Sequence, residues 1–288
     1  MNISRAVLTL WYVTVGDSSE PAADIAKVLN ADPKADRGFG RKYLSQLNPA
    51  FPVTPIGQFP LGRSAQADVG EFYIGGYPGV TVVQTVIMDD ALTLSKLSPL
   101  LLRAINAKHI FAFASNEEEG YAGMAHWENY ELKRSLCSTR TEFIEDIGLP
   151  EPYEGPYWAG EHRPSTFGAI TLPFVPQELM QEAERTWLGV EIGENGPNLD
   201  VVGYAIDGRP EPKVDPAPAP KSTSELVETS AAKLGVGPAN GAYDDYADPE
   251  AEPESTIAES AQRTAHDLAD LGRTIASRVV TFFKNRRR

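Results

Sequence analysis

One cysteine, four histidines and no long apolar run stand in a chain of 288 residues, and each scarcity excludes a class of protein. With Cys137 alone, no disulfide can form within the chain, and nothing asks for an oxidising compartment. A thiolate nucleophile needs a base or cation beside it. Cys137 lies instead in "ELKRSLCSTR", which alternates apolar and polar residues like a strand, and it reads as a buried structural thiol. The histidines are His109, His126, His162 and His266. No two are three or four residues apart and there is no cysteine pair, so no metal-ligand spacing exists. His109 and His126 fall in strand-like runs and are expected as satisfied sheet histidines.

Motif chemistry is equally sparse. "DRGFGRKY" carries glycines and bases but fits neither G-x-x-x-x-G-K-[ST] nor G-x-G-x-x-G, and Asp36 there suits a helix cap better. The nucleophile elbow G-x-S-x-G is missing. The acid runs "SNEEEG" and "MDD" lack the positional pattern of a divalent-cation loop. No cofactor and no metal are expected. No stretch of about 18 apolar residues exists, so no transmembrane span is expected. Arg5 followed by an apolar run mimics a short signal peptide. The run from 6 to 15 is rich in β-formers, however, and ends at Gly16-Asp17 without a small-x-small cleavage site. A first strand is the better reading.

What the chain has is acid. Its formal net charge is -14, which repels phosphate backbones and makes nucleic acid a poor partner for the body. Hydrophobic residues are 42% of the chain, enough for a sizeable core before a change near residue 207. The segment 207–254 is rich in Pro, Ala and acids, with eleven acids against four bases, a net of -7. It cannot bury enough apolar surface to offset its ordering entropy and reads as a disordered, self-repelling linker.

In the body, 1–206, strands are expected at 5–15, 71–75, 80–86, 109–114, 120–127 and 131–137. "GGYPGV" is expected as a tight turn and "WENYELKRSL" as a hairpin. Helices are expected at 21–29, 37–47, 99–107 and 177–188, with Ser98-Pro99 as cap and first helical position. Short links between neighbouring strands favour antiparallel pairing, and helices are too few for a regular βαβ array. The fold class is α+β: a mainly antiparallel or mixed sheet with a few flanking helices.

The last segment, 255–288, has helical periodicity and opens with a capping box, Thr256 with Glu259. Leu268, Leu271, Ile275, Val279 and Phe282 share one arc, which Phe283 widens. After Asp270 there is no acid, while Arg273, Arg278, Lys284, Arg286, Arg287 and Arg288 supply six positive charges. Apolar residues entering a headgroup boundary while bases meet lipid phosphates would anchor such a helix to an anionic membrane. The same stripe suits a protein partner or a second copy. The heptad pattern is weak because of Thr264 and many alanines.

The stretch "EGPYWAGEHRP", 154–164, concentrates the remaining candidates. Tyr157 and Trp158 could floor a ligand pocket. Glu161 and His162 are adjacent; in an extended loop they point opposite ways and form no simple acid–base pair. The plainer reading is a proline-framed corner that Trp158 anchors to the core.

Three stretches, "GYPGVTVV", "WENYELKRSLCSTRTEFIEDIGLPEPYEGPYWAGEH" and "LPFVPQEL", resemble an uncharacterised actinobacterial family, domain of unknown function 6928. The Gly16-Asp17 turn after the first strand fits it, and Ala35-Asp36-Arg37 matches its helix start in part. The resemblance covers about 10–206 and excludes the linker and basic helix. It implies a cytoplasmic bacterial protein of unknown activity and brings no catalytic residues. The reading leans away from an enzyme: a binding or scaffold protein, cytoplasmic, attached at the inner face of a membrane or to a protein through its last helix. A hydrolase-like site near Glu161 and His162, and an immunity-type protein-binding module, are the alternatives.

Overall fold

The computed structural model describes residues 4–15, 21–88, 92–163 and 171–212. Most of the acidic linker, and the expected helix with Leu268, Leu271, Arg273, Ile275, Arg278, Val279, Phe282, Phe283, Lys284, Arg286, Arg287 and Arg288, lie outside the described residues.

The described body runs β1 (Arg5–Val13), α1 (Pro21–Leu29), α2 (Arg37–Leu47), β2 (Thr54–Pro60), β3 (Glu71–Tyr77), β4 (Val80–Met88), α3 (Pro99–Leu102), β5 (His109–Asn116), β6 (Tyr121–Glu128), β7 (Glu131–Ser138), β8 (Phe143–Ile147), α4 (Gly155–Trp158), α5 (Pro176–Leu188) and β9 (Asp200–Ala205). The strands form one sheet in the order β2-β9-β3-β4-β1-β5-β6-β7-β8. Every pairing in it is antiparallel. The fold is therefore α+β, and the sheet is antiparallel rather than mixed.

β1 shows why both faces are closed. Ala6, Leu8, Leu10 and Tyr12 enter one core with α2 and α3; Trp11 and Val13 enter the other with α1 and α5. Alternation along a strand sends neighbours to opposite faces, so a central strand covered on both sides must be apolar almost throughout. Each large side chain so buried contributes about 1.5–3 kcal/mol.

Local chemistry fixes the connections. Pro78-Gly79 turns β3 into β4, and Gly79 has φ 76°, where a Cβ would also overlap Val15. Asn129 and Tyr130 both have positive φ and join β6 to β7, as a two-residue hairpin loop requires. Tyr130 holds this strained position with a hydroxyl bond to Asn106 Oδ1 at 2.9 Å. Asp36 caps α2 by accepting from the Gly38 N–H at 2.8 Å, and Ser98 caps α3. α5 stops at Gly189, whose φ is 68°.

Two expectations are corrected. The helix expected over 99–107 ends at Leu102. The Tyr12 hydroxyl donates to the Leu101 carbonyl at 2.7 Å, and the Ala104 N–H bonds the same oxygen in a tighter turn, so the α-helical ladder does not continue. Three strands, β2, β8 and β9, were not expected. Past Ile206 the chain stays tied to the sheet, because Arg209 pairs with Asp207 and with Glu71 on β3.

Candidate functional site

β7 carries an arginine where its register points into the protein. Arg134 stands two residues before the buried Leu136, and its side chain is 1% exposed. A buried guanidinium needs full compensation, and Glu154, at the end of the turn before α4, supplies it. The guanidinium donates from Nε and Nη2 to the two carboxylate oxygens of Glu154, each at 2.8 Å. Its Nη1 donates to Asp146 Oδ1 at 2.6 Å and to the Ile147 carbonyl at 3.0 Å. Glu154, wholly buried, also accepts from Trp158 Nε1 and from the Glu151 N–H, each at 3.0 Å. The planar fork matches a carboxylate bidentately, so the pair fixes direction as well as charge.

This pair explains the "EGPYW" corner. Glu154 orients the turn, Pro156 sits in the first turn of α4, and Trp158 is held by its indole nitrogen while its ring stacks on Phe143, centroids 5.4 Å apart. Tyr157 is buried and stacks face to face with His162, centroids 4.0 Å apart. Glu161 and His162 lie on the turn after α4 and are exposed. The Glu161 N–H bonds the Pro156 carbonyl at 3.0 Å. Among the described residues no hydrogen bond joins the Glu161 and His162 side chains, and the chain around them turns instead of extending.

A second cluster sits at the C-terminal end of α5. His109 Nδ1 and His126 Nε2 are 3.2 Å apart, within hydrogen-bond distance, with one ring's N–H donating to the other's bare nitrogen. Phe111 and Trp187 pack on them. Burial, with His109 and Lys133 adding to it, pushes His126 down to about 4; burial also lowers His109 against the opposing pull of Glu128. Both rings are therefore neutral near pH 7. Trp187 donates from Nε1 to Glu151 Oε2 at 3.0 Å, which links this cluster to the corner.

On the opposite face, Glu145 turns inward from β8. It accepts from the hydroxyls of Ser95 and Ser135 and from the Ser95 N–H at 3.0 Å. Cys137 lies beside it, wholly buried, and burial pushes its thiol up to about 12. Such a thiol stays protonated at neutral pH and is a packing group, not a nucleophile. Among the described residues no group of three His, Cys, Asp or Glu side chains converges as a metal would require. A recess lined by Met124, Leu136, Phe174 and Leu179 offers room for about one water.

The buried charges of the corner, Arg134 and Glu154, are thus spent on one another. Arg134, Glu154, Glu151 and Trp187 carry this order, and none stood out in sequence. One signal was present: a charge at an inward register on β7 demands a buried counter-charge nearby.

The fold and the corner define an α+β domain built on one antiparallel sheet covered on both faces. The chain belongs to a family of unknown function, DUF6928, whose model matches residues 7–206. No curated protein and no solved structure matches it. Among the described residues, no helix is long and apolar enough to cross a membrane.

Proposed function

We propose that the chain is a non-enzymatic binding or scaffold protein held at an anionic membrane surface by residues 255–288, with the α+β body as the part that is held. One observation carries the reading. After Asp270 the sequence has six bases and no acid, set on an apolar stripe through Leu268, Leu271, Ile275, Val279 and Phe282. Bases near an anionic surface contribute about 1 kcal/mol each, enough together to recruit an acidic body against its own repulsion. In this reading the acidic segment 207–254, net -7, is the tether between the body and residues 255–288. The internal pairing of Arg134 with Glu154, and the exposure of Glu161 and His162 to solvent, favour a rigid carrier over a hydrolytic site. Circular dichroism of a 255–288 peptide tests the reading. Helicity should appear on anionic vesicles and vanish at high salt. A peptide that stays unstructured on anionic vesicles at low salt refutes it, and helicity induced instead by a protein partner would make the segment a protein-docking helix.

A further inference from the structure

The two layers that cover the sheet carry opposite charge. One face of the sheet, with Leu8, Leu10 and Tyr12, is covered by residues 37–53, which include α2, and by residues 92–108, which include α3. The Tyr12 hydroxyl joins the two segments: it stands 3.1 Å from the Tyr43 hydroxyl of α2 and donates to the Leu101 carbonyl of α3 at 2.7 Å. Together these segments hold six bases, Arg37, Arg41, Lys42, Lys96, Arg103 and Lys108, and no acid. Asp36, just before them, is engaged as the cap of α2. The other face is covered by residues 21–29, 61–67, 151–163 and 171–199, which hold nine acids against four bases. A layer without an acid stands out against the chain's net charge of -14. Arg37, Arg41, Lys42 and Arg103 are exposed. Arg37 donates to a neutral partner, Gln58 Oε1, at 3.0 Å. Among the described residues, Arg41, Lys42 and Arg103 take part in no salt bridge.

We propose that this basic layer is the face the body turns to an anionic lipid surface, with Arg37, Arg41, Lys42 and Arg103 set against lipid phosphates. The inference rests on the membrane attachment proposed for residues 255–288 and adds which side of the body meets the lipid. A body with more acids than bases is repelled by such a surface in most orientations. Packed layers lie about 10 Å apart, so the acidic layer stands about 20 Å behind the basic one, about two Debye lengths at physiological salt. With the basic layer inward, its bases are attracted at close range and the repulsion of the distant acids is largely screened. The layer orients the body and does not recruit it. Without residues 255–288 the chain keeps its acidic layer and the segment 207–254, net -7, and has no apolar stripe to enter the headgroups.

Two measurements on the full chain, with vesicles of equal parts phosphatidylglycerol and phosphatidylcholine at low salt, decide the matter. Cys137 is wholly buried, so a cysteine placed at the surface takes a thiol-directed fluorophore alone. Gln46→Cys on α2 and Gln181→Cys on α5 set that fluorophore on the two layers, both at exposed positions. A lipid with a nitroxide on its headgroup should quench it at 46 and at least several-fold less at 181. One base near an anionic surface strengthens binding about five-fold, so Arg41→Gln, Lys42→Gln and Arg103→Gln together should weaken association by at least about ten-fold. Removing as many charges from the other layer, by Lys27→Gln, Arg163→Gln and Arg185→Gln, should change it by less than about two-fold. All six residues are exposed, so both triple variants should keep the parent's thermal midpoint. Equal quenching at the two positions, stronger quenching at 181, or equal weakening by the two triple variants overturns the inference and leaves the membrane attachment standing. A basic-layer variant that binds as tightly as the parent also overturns it, and tighter binding would show that the acidic segment 207–254 occupies that layer instead. A full chain that stays off these vesicles overturns both.

Discussion

Replacing Glu154 by Gln isolates the pair that fixes the corner, because the shape is kept and the charge removed. In the parent, the carboxylate accepts four hydrogen bonds: two from Arg134, one from Trp158 and one from the Glu151 backbone. An amide has one oxygen, and in either orientation its NH2 faces a guanidinium N–H, together with either the Glu151 backbone N–H or the Trp158 indole N–H. Arg134 keeps Asp146, whose side chain is 45% exposed and is a weaker, screened partner. Breaking a buried pair in this way costs about 3–5 kcal/mol, since an ion is left without its counter-charge. The cost should read directly in the midpoint of urea unfolding followed by tryptophan fluorescence. Trp158 reports locally, because its indole donates to the carboxylate that is replaced. Exchanging both partners for apolar residues, Arg134→Met with Glu154→Leu, removes both desolvation penalties at once. The double variant should therefore lie well below the sum of its singles, with a coupling of about 2 kcal/mol or more. A Glu154→Gln protein within about 0.5 kcal/mol of the parent, the range of an ordinary surface substitution, would refute the assignment of this pair as the corner's anchor.

Other consequences are sharp enough to check. The folded protein favours neutral His126, whose value of about 4 lies below the ordinary 6.5, so stability should be intact above 6.5 and fall as pH drops toward 4, by up to about 3 kcal/mol. Urea midpoints for the parent and His126→Gln at neutral and acidic pH should show that slope in the parent and a flatter one in the variant. Glu184, partly buried on α5 and facing the Trp11 indole, is pushed up to about 8 by burial, so its protonated form is favoured in the fold. Stability should then decline as pH rises from about 4.5 through 8, and Glu184→Gln should remove that decline, measured in the same assay. Gly40 lets α2 lie against β9, and a Cβ there overlaps the Tyr204 ring. Gly40→Ala should cost about 1–3 kcal/mol by calorimetry in spite of alanine's better helix propensity.

The sheet's centre was legible in sequence and its edges were not, for physical reasons. β1, β4 and β5 are covered on both faces and read as continuous apolar, β-branched and aromatic runs. β2, "TPIGQFP", carries the residues that blunt an edge, and those same residues erase its strand signal. β8 is five residues long, and a register shift between Cys137 and Ser138 breaks its alternation. β9 lies near the shift to linker composition, where Gly203 interrupts the run "DVVGYA". The corner "EGPYW" was recognisable as a placed feature, but its anchor was not, because Arg134 and Glu154 are 20 residues apart and meet only through the hairpin geometry of β7 and β8. Glu161 and His162 drew attention by residue type alone. The turn at Gly160, with φ 78°, sends them outward.

The most direct measurement is co-sedimentation of the full chain, and of a chain ending at 254, with anionic and with neutral vesicles at low and high salt. Sedimentation of the full chain alone, only with anionic lipid and less at high salt, is the expected result and places the body at a membrane through residues 255–288. Failure of the full chain to sediment with anionic vesicles at low salt, or equal sedimentation of the shortened chain, would contradict the proposed membrane attachment.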